Sequence, residues 1–176
     1  MKTIFKLISI LFLSQLLSCT TCGTKGKPEI NDFSLYQGKW YEIARLPNSF
    51  EKGLKCITAT YTCNSEGMIL LTNRGINKDN PEDVRTLKAR AWIPDTKHPE
   101  NLKVQFIWPI TKDYWLVHID RDKGYAIIGT PSRKRLWFLS RGKTIPEPDM
   151  TELIGIAVKN GFSSQGLIYV EQSCSE

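Results

Sequence analysis

From residue 40 to residue 141 the chain repeats one pattern, a short run rich in aromatic and β-branched side chains followed by a polar break. Eight runs can be marked: Trp40 to Leu46, Ile57 to Cys63, Met68 to Gly75, Leu87 to Ile93, Leu102 to Ile107, Tyr114 to Asp120, Tyr125 to Gly129 and Leu136 to Arg141. The breaks are turn chemistry, such as Asn64-Ser65-Glu66-Gly67 and Asp120-Arg121-Asp122-Lys123-Gly124. Such spacing predicts the antiparallel strands of a sandwich or barrel. The period then changes. Met150, Leu153, Ile154, Ala157 and Val158 fall at i, i+3, i+4, i+7 and i+8, the single apolar stripe of a helix. Pro146 and Pro148 sit near its start, and Gly161 is placed to end it in the left-handed conformation. A last short strand, Leu167 to Glu171, follows. The fold expected is all-β, an eight-stranded antiparallel up-and-down β-barrel with one C-terminal helix packed outside. Closure removes the sheet edges, and eight strands leave an interior able to hold one small ligand.

The N-terminus has a different pattern. Lys2 and Lys6 precede an uncharged apolar run, Leu7 to Leu17, that is too short to span a bilayer and reads as a signal peptide. Leu16-Leu17-Ser18-Cys19 resembles a bacterial lipobox. That resemblance implies cleavage before Cys19 and acylation of its thiol, a lasting anchor when several chains are attached. Thr20 in place of Asp points to the outer membrane, with the barrel on the periplasmic face. The alternative is a soluble secreted protein cut nearby. The expected organisation is a signal peptide over 1–18, a flexible Thr/Gly/Lys/Pro-rich tether over 19–30 and one barrel domain over 31–176.

Composition narrows the function. Of the 176 residues, 41% are apolar and 24% charged, as in an ordinary globular domain. Removing Lys2 and Lys6 leaves 22 basic against 18 acidic side chains, scattered singly except for Arg133-Lys134-Arg135, so nucleic acid is set aside. With Cys19 taken by lipid, Cys22, Cys56, Cys63 and Cys174 remain in an oxidising compartment, where three disulfide pairings are open. Their spacing fits no zinc pattern, so neither a metal nor another cofactor is expected.

Three segments carry a family resemblance. They are Asn31 to Arg45, containing Gly38-Lys39-Trp40; Tyr114-Trp115-Leu116-Val117-His118-Ile119-Asp120; and Leu136-Trp137-Phe138-Leu139-Ser140-Arg141. With Phe50-Glu51-Lys52-Gly53 in addition, the chain resembles the lipocalins, above all their bacterial outer-membrane and apolipoprotein D-like branches. The first residue of strand one and the last of strand eight share a barrel end, so Arg141 can cover the indole of Trp40 and, with Gly38, close that end. Strand parity turns Ala89 and Ala91, Val104 and Phe106, and Trp137 and Leu139 inward, together with Leu87 and Leu102. The resemblance implies that Tyr61, Asn73 and Trp115 also line the cavity. It further implies a disulfide between Cys56 and the C-terminal Cys174, and leaves Cys22 and Cys63 without counterparts.

The expected function is binding. The family implies storage or transport of a small hydrophobic ligand, a fatty acid or lysophospholipid, and the run Arg133, Lys134 and Arg135 at the open end reads either as the site of its anionic head group or as a turn kept polar for solubility. The expected partners are that ligand and the membrane, and a homodimer is compatible with the family. An enzyme using an in-barrel Cys63 or Glu42 is the competing class, and a surface interaction module is a third.

Overall fold

The computed structural model describes residues 36–63, 68–95 and 97–174. The segments expected to be a signal peptide (1–18) and a tether (19–30), with Cys19 and Cys22, and the Cys63 side chain lie outside the described residues. Among the described residues nine strands and one helix follow in order: β1 (Gly38–Arg45), β2 (Leu54–Cys63), β3 (Ile69–Asn77), β4 (Val84–Trp92), β5 (Asn101–Ile107), β6 (Ile110–Asp120), β7 (Tyr125–Gly129), β8 (Leu136–Ser140), α1 (Glu147–Lys159) and β9 (Ile168–Tyr169). The sequence pattern locates all eight barrel strands. It starts β6 four residues late, because the β5–β6 hairpin keeps Ile107 paired with Ile110 beside its Trp108-Pro109 turn.

From β1 to β8 each strand pairs antiparallel with the next, and β1 also pairs with β8, which closes the barrel. The closure changes partner along β1. Gly38 to Tyr41 pair with β2, whereas Ala44 and Arg45 pair with β9. The two strands diverge where a bulge near Cys56, itself at φ 53, bends β2. The C-terminal segment fills the gap: Val170 donates to Ile43 O, Cys56 to Glu171 O, and the Gln172 amide to both Glu42 O and Ile57 O.

Strand alternation makes two cores. On β8, Trp137 and Leu139 point into the barrel while Leu136 and Phe138 point at the helix, and all four are buried. Met150, Leu153 and Ala157 press against Ala44, Ile127, Leu136 and Phe138, each buried large side chain contributing about 1.5–3 kcal/mol. Val158, at the margin of the stripe, is exposed. The helix begins with Pro148, Glu147 and Asp149 in its first turn, the acids complementing the positive end of its dipole. It ends in a Schellman motif: Gly161, at φ 84, donates to Val158 O and Phe162 to Ala157 O, and Phe162 is buried against the helix-facing core.

Candidate functional site

One barrel end is plugged. Arg141 places its guanidinium carbon 3.7 Å from the centroid of the Trp40 ring and donates to Lys39 O and Gln37 O at 3.0 and 2.8 Å. The buried indole in turn donates to Tyr36 O at 2.8 Å. A cation–π contact of this kind contributes about 0.5–2 kcal/mol. Gly38 is required beside it: its φ is 95, and a Cβ there would lie 3.2 Å from the Arg141 guanidinium.

Above the plug lies a partly open cavity whose empty space, counting the solvent at its mouth, is about 620 Å³. Tyr61, Asn73, Ala91, Val104, Phe106, Trp137 and Leu139 line it. Ala89 is buried in the same inner core but does not reach the wall. Trp115 is a correction. Tyr114 is the β6 residue opposite the inward Leu102, so Tyr114 enters the cavity and Trp115 points to the outside, where it lies under the Arg133 guanidinium at 5.6 Å. Leu87 keeps the inward phase, opposite Asn73 on β3, but is exposed because β4 pairs with β5 only over Arg90–Trp92, leaving the mouth-side half of β4 without a β5 partner. The Tyr61 and Tyr114 phenols are held above their ordinary pKa, chiefly by burial.

The upper wall carries a polar cluster that the strand pattern does not predict. Arg45 donates to Glu42 Oε1 at 2.8 Å and to Glu51 O at 2.9 Å, and its Nε lies 3.5 Å from Glu51 Oε2. Glu51 also accepts from the Asn48 amide and from the Trp137 indole. One guanidinium serves two buried carboxyls. Burial and then the neighbouring Glu51 push the Glu42 carboxyl well above its ordinary range, against the opposing pull of the Arg45 guanidinium. Glu51 and Phe50 belong to the β1–β2 loop, which gives no periodic signal; the resemblance to the bacterial branch is what draws attention to them.

At the mouth, Arg135 stacks over Phe50 at 5.2 Å, and Tyr114 stacks on Trp137 with ring centroids 5.5 Å apart. Lys112, Lys134 and Arg135 share an outer cleft with Tyr114, Asp113 and Thr130 to Ser132. Arg133 is placed elsewhere: its Nε donates at 2.9 Å to the carbonyl of Asn160, at the end of the helix, so it secures α1 instead of facing the cleft. Cys56 and Cys174 form a disulfide with their Cα atoms 6.1 Å apart, which pins the tail into the gap between β1 and β2.

The family model for the Lipocalin-like domain matches residues 31–172. The chain belongs to the lipocalin family. Outer membrane lipoprotein Blc of Vibrio cholerae is 36% identical to this lipocalin over 157 residues, covering 85% of this chain and 91% of that protein. Outer membrane lipoprotein Blc of Escherichia coli K12 is 33% identical over 150 residues, 84% of each chain. Bovine apolipoprotein D is 29% identical over 154 residues, 82% of this chain and 79% of that one. The crystal structure of the cockroach allergen Per a 4 superposes with a TM-score of 0.66 at 21% identity, over 87% of this chain and 96% of that one, a likeness of fold. In this lipocalin the first and third sequence segments supply the plug, through Trp40 and Arg141.

Proposed function

We propose that this lipocalin is a carrier that takes the acyl chain of a fatty acid or lysophospholipid into the barrel and keeps the anionic head at the Lys112, Lys134 and Arg135 cleft. The observation that carries this reading is Tyr114, which borders both the apolar cavity and the cationic cleft. A chain inside the barrel and an anion outside it would therefore be continuous across one side chain. Lys112 takes the place expected of Arg133, which is committed to the helix. Cys19 would anchor the mature protein in the outer membrane, facing the periplasm; the relatives named outer membrane lipoproteins support that address. Catalysis has less support, because Glu42 is already engaged by Arg45 and Glu51.

The test is native mass spectrometry of the mature protein from bacterial membranes, followed by solvent extraction of whatever lipid travels with it. A carrier returns its fatty acid or lysophospholipid unchanged. Lys112→Ser with Lys134→Ser should weaken an acyl anion about tenfold and leave a neutral hydrophobe alone. Ala91→Phe, which fills the wall, should weaken both. A barrel that neither carries nor accepts acyl chains would refute the reading.

A further inference from the structure

We infer that the Ile107–Ile110 hairpin tip docks the mouth of the barrel onto an anionic lipid surface. Ile107, Trp108 and Ile110 are 69%, 82% and 57% exposed, and Pro109 between them is exposed too. Four consecutive apolar residues at the end of a β-hairpin pack on neither core among the described residues, whereas the interior-facing apolar residues of the same two strands are buried or half-buried. A soluble chain gains nothing by holding an isoleucine–tryptophan–proline–isoleucine tip in water. The same composition suits the boundary between head groups and acyl chains, where tryptophan is favoured.

Charge selects the partner. Lys112 lies two residues beyond the tip and shares its cleft with Lys134 and Arg135 of the β7–β8 loop. The single acid of that cleft, Asp113, is ion-paired with Lys103. A tip that inserts, with cations beside it that stay at the surface, matches an anionic membrane, since each lysine near such a surface adds attraction and the apolar residues add buried area.

Location gives the contact a use. The tip stands at the same end as Phe50, Arg135 and the open mouth, opposite the Trp40–Arg141 plug. Beside it, Val84 to Ala89 of β4 lack a β5 partner, and Val84 and Leu87 are exposed there. Docking would set this open seam and the cavity mouth against the lipid, so that a chain could pass between membrane and barrel without crossing water. The contact is independent of the acylation proposed for Cys19 and of which ligand the cavity takes.

The experiment uses the chain from Thr20 to Glu176, which has no lipid anchor but keeps every strand, the helix and the disulfide. It is sedimented with vesicles of phosphatidylcholine alone or mixed with phosphatidylglycerol, and the tryptophan emission of the parent is compared with that of Trp108→Phe. The parent should bind the anionic vesicles, with a blue shift that Trp108→Phe lacks. Trp108→Ser with Ile110→Ser should bind about tenfold more weakly or worse. Lys112→Ser with Lys134→Ser should lose about tenfold on anionic vesicles only. Unchanged thermal midpoints would show that these exposed variants are folded. No partition of the parent onto anionic vesicles, or equal partition of the Trp108→Ser, Ile110→Ser variant, overturns the inference. So does a dimer in sedimentation velocity that needs Trp108 while vesicles are ignored, which would make a second copy the occupant.

Discussion

The Trp137 indole donates a 3.0 Å hydrogen bond to Glu51 Oε2, across a sequence separation of 86, and this bond ties the β1–β2 loop to β8 at the rim of the cavity. The same loop residue accepts from Asn48 and faces Arg45, so one carboxylate organises the loop, the first strand and the eighth. Trp137→Phe keeps the ring and removes the donor. It should cost about 1–3 kcal/mol in urea unfolding, the usual loss when a buried charged acceptor loses a partner. It should also speed amide exchange in residues 47–53 more than in the strands.

Glu42 makes stability depend on pH. Its carboxyl binds a proton more tightly folded than unfolded, so its contribution is complete below the ordinary carboxylate range and is lost as pH rises through its raised value. Glu42→Gln keeps a carbonyl for Arg45 and carries no charge. The variant's advantage over the parent should grow as pH is raised from about 5 to about 9, read from urea midpoints. Parallel curves would mean that Glu42 stays ionised throughout.

Arg141 acts by shape as well as charge. Arg141→Lys retains a cation but loses the planar group that lies on Trp40 and reaches both Lys39 O and Gln37 O. We expect a loss of about 1–2 kcal/mol in the lysine variant and more in Arg141→Ala. Acyl binding at the other end should be unchanged, as measured by a fluorescent fatty acid.

The disulfide closes a loop spanning 118 residues. Replacing both Cys56 and Cys174 by serine should lower stability by up to about 5 kcal/mol in the chain-entropy treatment. Because the tail donates and accepts hydrogen bonds in the gap between β1 and β2, amide protection at Val170 should fall first.

The eight strands, the helix and the closed end were legible in the sequence because each rests on a local period or a short motif. Trp137 and Leu139 alternate with Leu136 and Phe138, and the Gly38-Lys39-Trp40 motif and Arg141 meet at one end of the β1–β8 seam. Parity also placed Ala91, Val104 and Phe106 on the wall, since side chains on a strand can only alternate. It did not decide Tyr114 over Trp115, because a phase inferred from likeness can slip by one residue and reverse every side chain, and only the pairing of Tyr114 with Leu102 sets it. Nor could it find the Glu42, Arg45 and Glu51 cluster, which joins a strand to an aperiodic loop, or the commitment of Arg133 to the Asn160 carbonyl. Periodicity along the chain determined which face each strand residue takes. Only closure of the barrel decided which loops, charges and exposed apolar residues meet at its mouth, because those contacts join segments that are far apart in sequence and have no period of their own.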